Sequence, residues 1–320
     1  MIEVKNLTKR YGNHLAVDHL NFTVESGKIY GFLGPNGAGK STTMNIMTGY
    51  LGATEGQVLI DGHDILKEPE EAKKNIGYLP EIPPLYMEMT VREYLEFAAE
   101  LKGIKKDKRE SQIEEVIRLA KLRDVENRLI QNLSKGYKQR VGLAQAVLGF
   151  PEIIILDEPT SFLDIRHKLE LLAILKKMVL EKQMTVIMSL HELDLAQKIS
   201  DQVICVHGDH IEKYGAPEEI FTSDYIRKLY GITRGSYNAE FGCVEMEPPA
   251  GKPEVFVIGG NGSGIPVYRK LQRQGIPFVT GVLHTNDADY QVAKELAAKV
   301  ITEKPFECIS ESAFEEALEF

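Results

Sequence analysis

The chain has 320 residues, which is enough for about two domains at roughly 150 residues each. Its hydrophobic content of 43% and charged content of 27% are those of an ordinary globular protein. With 47 acidic against 38 basic residues the formal net charge is −9, which disfavours a nucleic-acid partner because such partners require a basic face.

The sequence shows no signal for membrane insertion, secretion or disulfide bonding. No apolar run reaches the ~18 residues that a membrane-spanning helix needs, and the first five residues have no signal-peptide core. The cysteines have neither metal-ligand spacing nor an even count. We therefore expect a cytoplasmic protein that reaches a membrane only through a partner.

Short apolar runs alternate with longer helical patterns in the first part of the chain, which predicts an α/β fold with a largely parallel sheet. Ile29–Leu33 and Gln57–Ile60 are the first clear strands. A charged, helical stretch at about residues 88–148 then predicts a helical subdomain inserted between strands. Further strands are predicted at Ile153–Leu156, Thr185–Met188 and Val203–Val206.

Near residue 235 the composition shifts to Gly, Ser, Asn and Pro, which predicts a linker over residues 233–252. It would separate a first domain, residues 1–232, from a small domain, residues 253–320. In the small domain three strand-like runs alternate with helical segments, which predicts a small parallel α/β layer. These runs are Val255–Ile258, Phe278–Val282 and Val300–Ile301.

Residues 34–41 match the phosphate-binding pattern G-x-x-x-x-G-K-[ST] between a predicted strand and a predicted helix. The glycines let successive N–H groups point at phosphate oxygens, and the helix N-terminus adds partial positive charge. Lys40 is expected to neutralise the β- and γ-phosphates of ATP, and Ser41 to ligate Mg²⁺. A glycine-rich turn that matches by chance is disfavoured by the strand–loop–helix context. The predicted nucleotide-binding residues here are Gly34, Asn36, Gly37, Gly39, Lys40, Ser41 and Thr42.

A buried-strand pattern at Ile153–Leu156 ends in two carboxylates, Asp157 and Glu158. Asp157 is predicted to hold the Mg²⁺ shell, and Glu158 to accept a proton from the attacking water. Two carboxylates that merely end a strand are the alternative, which the phosphate-binding loop disfavours. The sequence thus predicts ATP hydrolysis with Glu158 and Lys40 as catalytic residues.

Residues 133–140 read Leu-Ser-Lys-Gly-Tyr-Lys-Gln-Arg. Here the chain resembles the ABC ATPases, whose signature is Leu-Ser-Gly-Gly-Gln, although Lys135 and Tyr137 depart from it. In that family the signature serine and glycine contact the γ-phosphate bound by the opposite subunit, which implies nucleotide-binding roles for Ser134 and Gly136. Ser134 would also cap a helix that begins at Lys135.

Other family elements follow in the expected order over about residues 1–230. Tyr11 resembles the aromatic residue that stacks on adenine, the alternative being an incidental tyrosine. Asp164 ends a run that resembles the D-loop, with Phe162 where glycine is usual, and the resemblance implies a nucleotide-binding role for Asp164. His191 matches the switch histidine at the γ-phosphate, which implies a third catalytic residue. Glu81 stands where the family has a glutamine that senses Mg²⁺ and the transmembrane partner, which implies a metal contact.

The resemblance implies an ATP- and Mg²⁺-dependent transport ATPase on the inner face of the cell membrane. Each site of the family takes its phosphate-binding loop and its signature from different subunits. Since this chain has one of each, it implies a dimer, with a homodimer favoured, bound to transmembrane permease subunits.

The direction of transport stays open at the level of sequence. Up to about Thr160 the chain resembles exporter-type ATPases of the ABC-2 kind. From Ser161 onward, and in its tail, it resembles ATPases of iron-chelate and cobalamin importers, which favours import with export as the alternative. A soluble, non-transport ABC ATPase is the alternative from another class, and the single cassette and acidic charge disfavour it.

In the tail, the glycine-rich run Gly259–Gly264 follows a predicted strand. It does not fit G-x-G-x-x-G, because Ile265 stands where the last glycine belongs. A tight structural turn and a ligand-sensing site are the two alternatives. We expect the small domain to be regulatory or dimer-stabilising.

Overall fold

A computed structural model describes residues 1–320, which form two compact units, Met1–Ile220 and Phe221–Phe320. The strands of the first unit are β1 (Ile2–Tyr11), β2 (His14–Val24), β3 (Ile29–Leu33), β4 (Glu55–Ile60), β5 (His63–Asp64), β6 (Ile76–Leu79), β7 (Ile153–Leu156), β8 (Thr185–Ser189), β9 (Gln202–His207) and β10 (His210–Gly215). Its helices are α1 (Lys40–Met47), α2 (Pro69–Lys74), α3 (Val91–Leu101), α4 (Lys106–Leu119), α5 (Lys135–Val147), α6 (Ile165–Lys182), α7 (Leu193–Ile199) and α8 (Pro217–Ile220), with a 3₁₀ turn at Ile130–Asn132.

The first unit contains two sheets. The larger has the order β10-β9-β3-β8-β7-β6 and is parallel except for the β10–β9 pair. Every residue of β3, β7 and β8 is buried, as expected for central parallel strands covered on both faces. The smaller sheet, with the order β2-β1-β4-β5, is antiparallel.

One apolar core joins the two sheets around α1. Met44 and Ile46 of α1 pack in a cluster with Phe32 of the parallel sheet and Phe22 of the antiparallel sheet. Burying side chains of this size contributes ~1.5–3 kcal/mol each. The helix that follows the phosphate-binding loop, α1, is thus fixed by apolar packing between the two sheets.

The helices α3, α4 and α5 follow β6 in sequence and precede β7, where the helical subdomain is predicted. A capping box at Thr90 and Glu93 starts α3. The side chain of Ser134 accepts a hydrogen bond from the Tyr137 N–H and starts α5. No helix of the structure combines the length and apolar character that crossing a bilayer requires.

The second unit has a three-stranded parallel sheet, in agreement with the predicted α/β layer, and an additional hairpin. Its elements are α9 (Ser223–Leu229), β11 (Ser236–Asn238), β12 (Cys243–Glu245), β13 (Val255–Val257), α10 (Ile265–Gln274), β14 (Phe278–His284), α11 (Ala288–Leu296), β15 (Lys299–Glu303) and α12 (Glu311–Leu318). The sheet order is β13-β14-β15. α10 and α11 pack in one apolar cluster with Phe278, and α12 packs in another with Val279.

The structure differs from the predicted linker. Residues 233–252 contain the antiparallel hairpin β11–β12 and belong to the second unit, which begins at Phe221 instead of after the linker. Side chains bind the hairpin to the rest of that unit: Asn238 donates to the Gln291 carbonyl at 2.7 Å, and the buried Glu245 pairs with Arg269. Such long-range contacts cannot be detected in the local composition. The glycine- and proline-rich stretch therefore predicts a linker, although it forms a hairpin.

The glycine-rich loop of the second unit is filled by the chain's own carboxylates. The fully buried Asp289 accepts hydrogen bonds from the N–H groups of Gly264 at 2.9 Å and Ile265 at 3.1 Å. Asp287 accepts from the N–H of Asn261 at 3.0 Å. Because the N–H groups that would bind an anion are already paired, the loop supports the structural-turn alternative.

Candidate active site

Three neighbouring strands of the parallel sheet end at the site. In the order β3-β8-β7 they lead into the phosphate-binding loop, the segment before His191, and the Asp157–Glu158 pair. The carboxyl ends of parallel strands lie at one edge of a sheet, which is where ligands bind in open α/β folds. The topology therefore brings together groups that lie far apart in the sequence, such as Lys40 and His191.

The backbone of the phosphate-binding loop requires glycine at two positions. Gly34 has φ 153° and Gly39 has φ 80°. A Cβ atom at Gly34 would lie 2.2 Å from the Val206 carbonyl oxygen, and one at Gly39 would lie 2.4 Å from that of Ala16. The loop is thus packed against the sheet and turns directly into α1, whose N-terminal N–H groups suit an anion.

A cleft of about 510 Å³ opens over this loop. Its lining contains most of the predicted nucleotide and catalytic residues: Tyr11, His14, Ala16, Asn36, Gly37, Gly39, Lys40, Ser41, Thr42, Glu81, Glu158 and His191. His14 and Ala16, on β2 beside Tyr11, were not predicted from sequence. The volume and mixed polarity of the lining suit a nucleotide-sized ligand.

Lys40 lies deep in the loop. Its Nζ donates hydrogen bonds to the carbonyl oxygens of Gly34 at 2.7 Å and Pro35 at 3.0 Å. Burial lowers the pKa of Lys40 below its ordinary value, against the opposing attraction of Glu158 and Asp157. These carbonyl contacts hold the ammonium group inside the loop, where phosphate oxygens would compete for its hydrogen bonds.

Asp157 lies between two hydroxyl groups. Its Oδ1 accepts from Ser41 Oγ at 3.1 Å and from Ser189 Oγ at 2.8 Å. A hydroxyl and a carboxylate oxygen are ligands that Mg²⁺ takes in proteins, usually together with water and substrate phosphates. Ser41 and Asp157 therefore fit the predicted metal site, and Glu81 lines the same cleft.

Both the backbone and the carboxylate of Glu158 are held by hydrogen bonds. Its backbone has φ 47°, and its N–H donates to Ser189 Oγ at 2.7 Å. Its carboxylate accepts from Ser161 Oγ at 2.9 Å and is paired with His191 Nε2. Burial alone would raise the pKa of Glu158, but the hydrogen bonds from His191 and Ser161 outweigh it and hold that pKa below its ordinary value. The group is thus an ionised carboxylate in fixed orientation, able to accept a proton.

The signature residues lie elsewhere in the unit. Ser134 caps α5, and Asp164 caps α6 by accepting from the N–H of His167 at 2.9 Å. Neither of them, nor Gly136, lines the cleft that contains Lys40 and Glu158. Within one chain the structure does not bring these three predicted nucleotide-binding residues to the phosphate-binding loop.

Sequence reasoning missed two hydroxyl groups that organise the carboxylates, Ser189 and Ser161. Ser189 is fully buried and joins the Asp157 carboxylate to the Glu158 backbone. In the sequence, Ser189 could have been recognised as a polar residue that ends an apolar strand two positions before His191. Ser161 follows Glu158 by three residues, a spacing at which a turn brings the two side chains together.

Comparison with known families gives two matches along the chain. The family described as ABC transporter matches residues 17–161, which run from β2 to Ser161. The MJ0874 family matches residues 278–320, which form the end of the second unit.

Three curated relatives carry names that include ATP binding. The bacitracin transport ATP-binding protein BcrA of Bacillus licheniformis is 39% identical over 207 residues, 65% of this chain and 67% of that protein. The uncharacterized ABC transporter ATP-binding protein MJ0873 of Methanocaldococcus jannaschii is 32% identical over 296 residues, 88% of this chain and 100% of that protein. The petrobactin import ATP-binding protein YclP of Bacillus subtilis is 30% identical over 236 residues, 73% of this chain and 94% of that protein.

A similar solved structure is the dimeric, post-hydrolysis state of the ATP-binding cassette MJ0796 bound to ADP and Pi. It superposes with a TM-score of 0.61 at 28% identity and covers 68% of this chain and 99% of that one.

Proposed function

Since the chain belongs to the ABC transporter family and is an ATP-binding subunit with ATPase activity, we propose that two copies close over two ATP molecules and drive a membrane transporter. One observation carries this proposal. Lys40 and Glu158 share a cleft from which Ser134 and Gly136 of the same chain are absent. A second copy that presents its own signature to this cleft completes the site, and MJ0796 provides a dimeric precedent.

Different groups of the cleft bind the triphosphate, the adenine and the Mg²⁺ ion of the nucleotide. The triphosphate lies on the loop N–H groups and the α1 N-terminus, with Lys40 at the β- and γ-phosphates. Adenine stacks on Tyr11, which is 48% exposed at the mouth of the cleft. Ser41 and Asp157 would hold Mg²⁺, with Glu81 beside them, and the bound ion supplies neutralisation of the phosphate charge.

Glu158 acts as the base in hydrolysis. A water oxygen attacks the γ-phosphorus while the bond to the bridging oxygen breaks, and ADP leaves with that electron pair. The proton of the water passes to the Glu158 carboxylate, which Ser161 and His191 hold in place. His191 also donates toward the γ-phosphate in the closed pair. Release of phosphate then weakens the contact between the copies and opens them.

The further partners are transmembrane permease subunits, which place the chain at the inner face of the cell membrane. The net charge of −9 supports the absence of a nucleic-acid partner. The pair of cassettes is a homodimer, because one chain carries both a phosphate-binding loop and a signature.

For the cargo, import of an iron chelate or a cobalamin-type compound is the first candidate. The residues from Ser161 onward support it, as does the petrobactin import relative, which the chain covers almost completely. Export is the second candidate, because the residues up to about Thr160 resemble exporter-type ATPases. The bacitracin transport relative, whose name gives no direction, has the higher identity, 39% against 30%.

The test of the hydrolysis mechanism is the ATPase rate of the Glu158→Gln variant. Without a proton acceptor the rate should fall by about 100-fold or more, while affinity for ATP is kept because Lys40 and the loop are intact. Glu88→Gln, which makes the same change at an exposed residue of no assigned role, is the matched control. A variant that hydrolyses ATP at the control rate would contradict the assignment of the base.

The direction of transport is tested in proteoliposomes that contain the chain and its copurifying membrane subunits. With ATP on the side of the chain, import predicts that a ferric chelate moves toward that side. Movement of bacitracin away from that side, with no movement of the chelate, would replace import by export.

A further inference from the structure

The first turn of α5 with its cap, Ser134–Tyr137, is called here the signature loop, and it lies directly against the imidazole ring of His167. A Cβ atom at Gly136 would lie 2.4 Å from His167 Cδ2 and 2.6 Å from Cγ. Only glycine lets α5 approach α6 this closely, since real Cβ atoms do not come within about 3 Å of such neighbours. The signature glycine therefore has a fixed partner within its own subunit.

The His167 ring is in turn held by the D-loop aspartate. Its Nδ1 lies 2.8 Å from each carboxylate oxygen of Asp164, and its backbone N–H donates to the same carboxylate at 2.9 Å. These hydrogen bonds, led by that of the backbone, lower the pKa of Asp164. Nδ1 is thus the donor, and the ring has one orientation.

On its other side, the start of α5 is held by the helical subdomain. The Tyr137 hydroxyl donates to Asp124 at 2.7 Å, and its ring meets His167 edge-on with centroids 6.4 Å apart. The signature loop is therefore clamped between Asp124 and His167.

His167 is also linked, through Asp164 and the chain before it, to the proposed catalytic carboxylate of the same subunit. Asp164 lies three residues after Ser161 in the sequence. Ser161 in turn donates a hydrogen bond to Glu158. His167 thus lies between the segment that approaches the opposite nucleotide and the segment that orients the base.

We propose that His167 is a positioning residue that sets the signature loop relative to the D-loop, so that a closed pair can form on ATP. The proposal rests on the two-copy function proposed above and adds to it the group that aligns Ser134 and Gly136. It acts through these residues and touches no nucleotide in its own subunit, because His167 does not line the nucleotide cleft.

The test uses the full chain in the Glu158→Gln background, where closed pairs accumulate. His167→Ala removes the ring, and His167→Asn restores an N–H donor for Asp164 near the Nδ1 position. Leu180→Ala, an exposed residue on the same helix, is the control. Two quantities are measured: the ATP concentration at half-maximal pairing by light scattering, and ATP affinity in dilute single copies by a fluorescent ATP analogue.

His167→Ala should raise the ATP concentration for pairing about tenfold, the size expected for a lost hydrogen bond to a charged group. Its ATP affinity as a single copy should equal that of the control, and His167→Asn should recover most of the pairing. A merely structural role would weaken single-copy ATP affinity and pairing together and show no recovery in His167→Asn.

Two outcomes overturn the proposal. In the first, His167→Ala pairs at the same ATP concentration as the control. In the second, His167→Ala loses single-copy ATP affinity to the same extent as it loses pairing. If Glu158→Gln alone does not pair with ATP, the two-copy function itself fails, which separates the two hypotheses.

Discussion

At the scale of residues, the site is a set of carboxylates whose positions are fixed by hydroxyl groups. Ser189 bonds both the Asp157 side chain and the Glu158 backbone, so the proposed metal ligand and the proposed base share one buried support. Ser161 and His191 fix the Glu158 carboxylate from the other side. A base held by such supports keeps its orientation without substrate, which is the geometric requirement for proton transfer.

The hydrogen bonds to Glu158 also affect the pH dependence that we expect for ATP hydrolysis, because they lower the pKa of this carboxylate. Because hydrogen bonds from His191 and Ser161 keep the pKa of Glu158 below its ordinary value of 4.5, the base stays ionised through the neutral range. Ser161→Ala removes one of these bonds, so the pKa rises and the acid limb of the kcat profile moves to higher pH. The rate at neutral pH should fall less than about tenfold, since one hydrogen bond contributes ~1 kcal/mol.

The measurement is the ATPase rate against pH for wild type, Ser161→Ala and Ser161→Thr. Ser161→Thr keeps the hydroxyl and should retain the wild-type acid limb. An acid limb that stays in place in Ser161→Ala would show that Ser161 does not orient the base.

At the scale of elements, the parallel strands and the loops at their ends were predictable from sequence. The prediction of Ile29–Leu33 and Ile153–Leu156 is confirmed, because a buried parallel strand is a continuous apolar run that local sequence displays. The resemblance to the ABC ATPases and the α/β fold are also confirmed. The roles of the individual site residues stay predictions.

What the sequence could not show are contacts made over long separations. Lys102 donates to the carbonyl oxygens of Gln145, Ala146 and Leu148 and so holds the C-terminal end of α5. Burial lowers the pKa of Lys102 to about 8. A lysine in a charged helical stretch carries no local signal for such a role, just as the hairpin β11–β12 carried none for its attachment.

The glycine-rich loop of the second unit gives a prediction about one element. Asp289→Ala removes the acceptor of the Gly264 and Ile265 N–H groups, which are left unpaired inside the unit. An unpaired buried group costs on the order of 1–3 kcal/mol, so amide hydrogen exchange over residues 260–265 should accelerate.

Glu315→Ala, exposed on α12 of the same unit, is the control for this change. Nucleotide hydrolysis by the first unit should be unaffected in both variants. Unchanged exchange in Asp289→Ala would show that the loop does not depend on its internal carboxylate and would reopen the ligand-sensing alternative.

At the scale of the whole molecule, the predicted nucleotide-binding residues of one chain fall into two groups that do not meet. Lys40 and Glu158 line one cleft, and Ser134 and Gly136 lie at the start of α5, outside it. The family places both halves on one nucleotide, and association of two copies is the simplest way to unite them. In the function that we propose, ATP is a ligand shared between copies, which would couple its hydrolysis to their separation.

The most direct test is the mass in solution of the Glu158→Gln variant with and without ATP and Mg²⁺. The account predicts a single copy without nucleotide, a pair with ATP, and no pair when Lys40→Ala is added. Removing the base stalls hydrolysis and keeps the shared nucleotide in place, so pairs should accumulate. A single copy at saturating ATP, with nucleotide bound, would contradict the two-copy site.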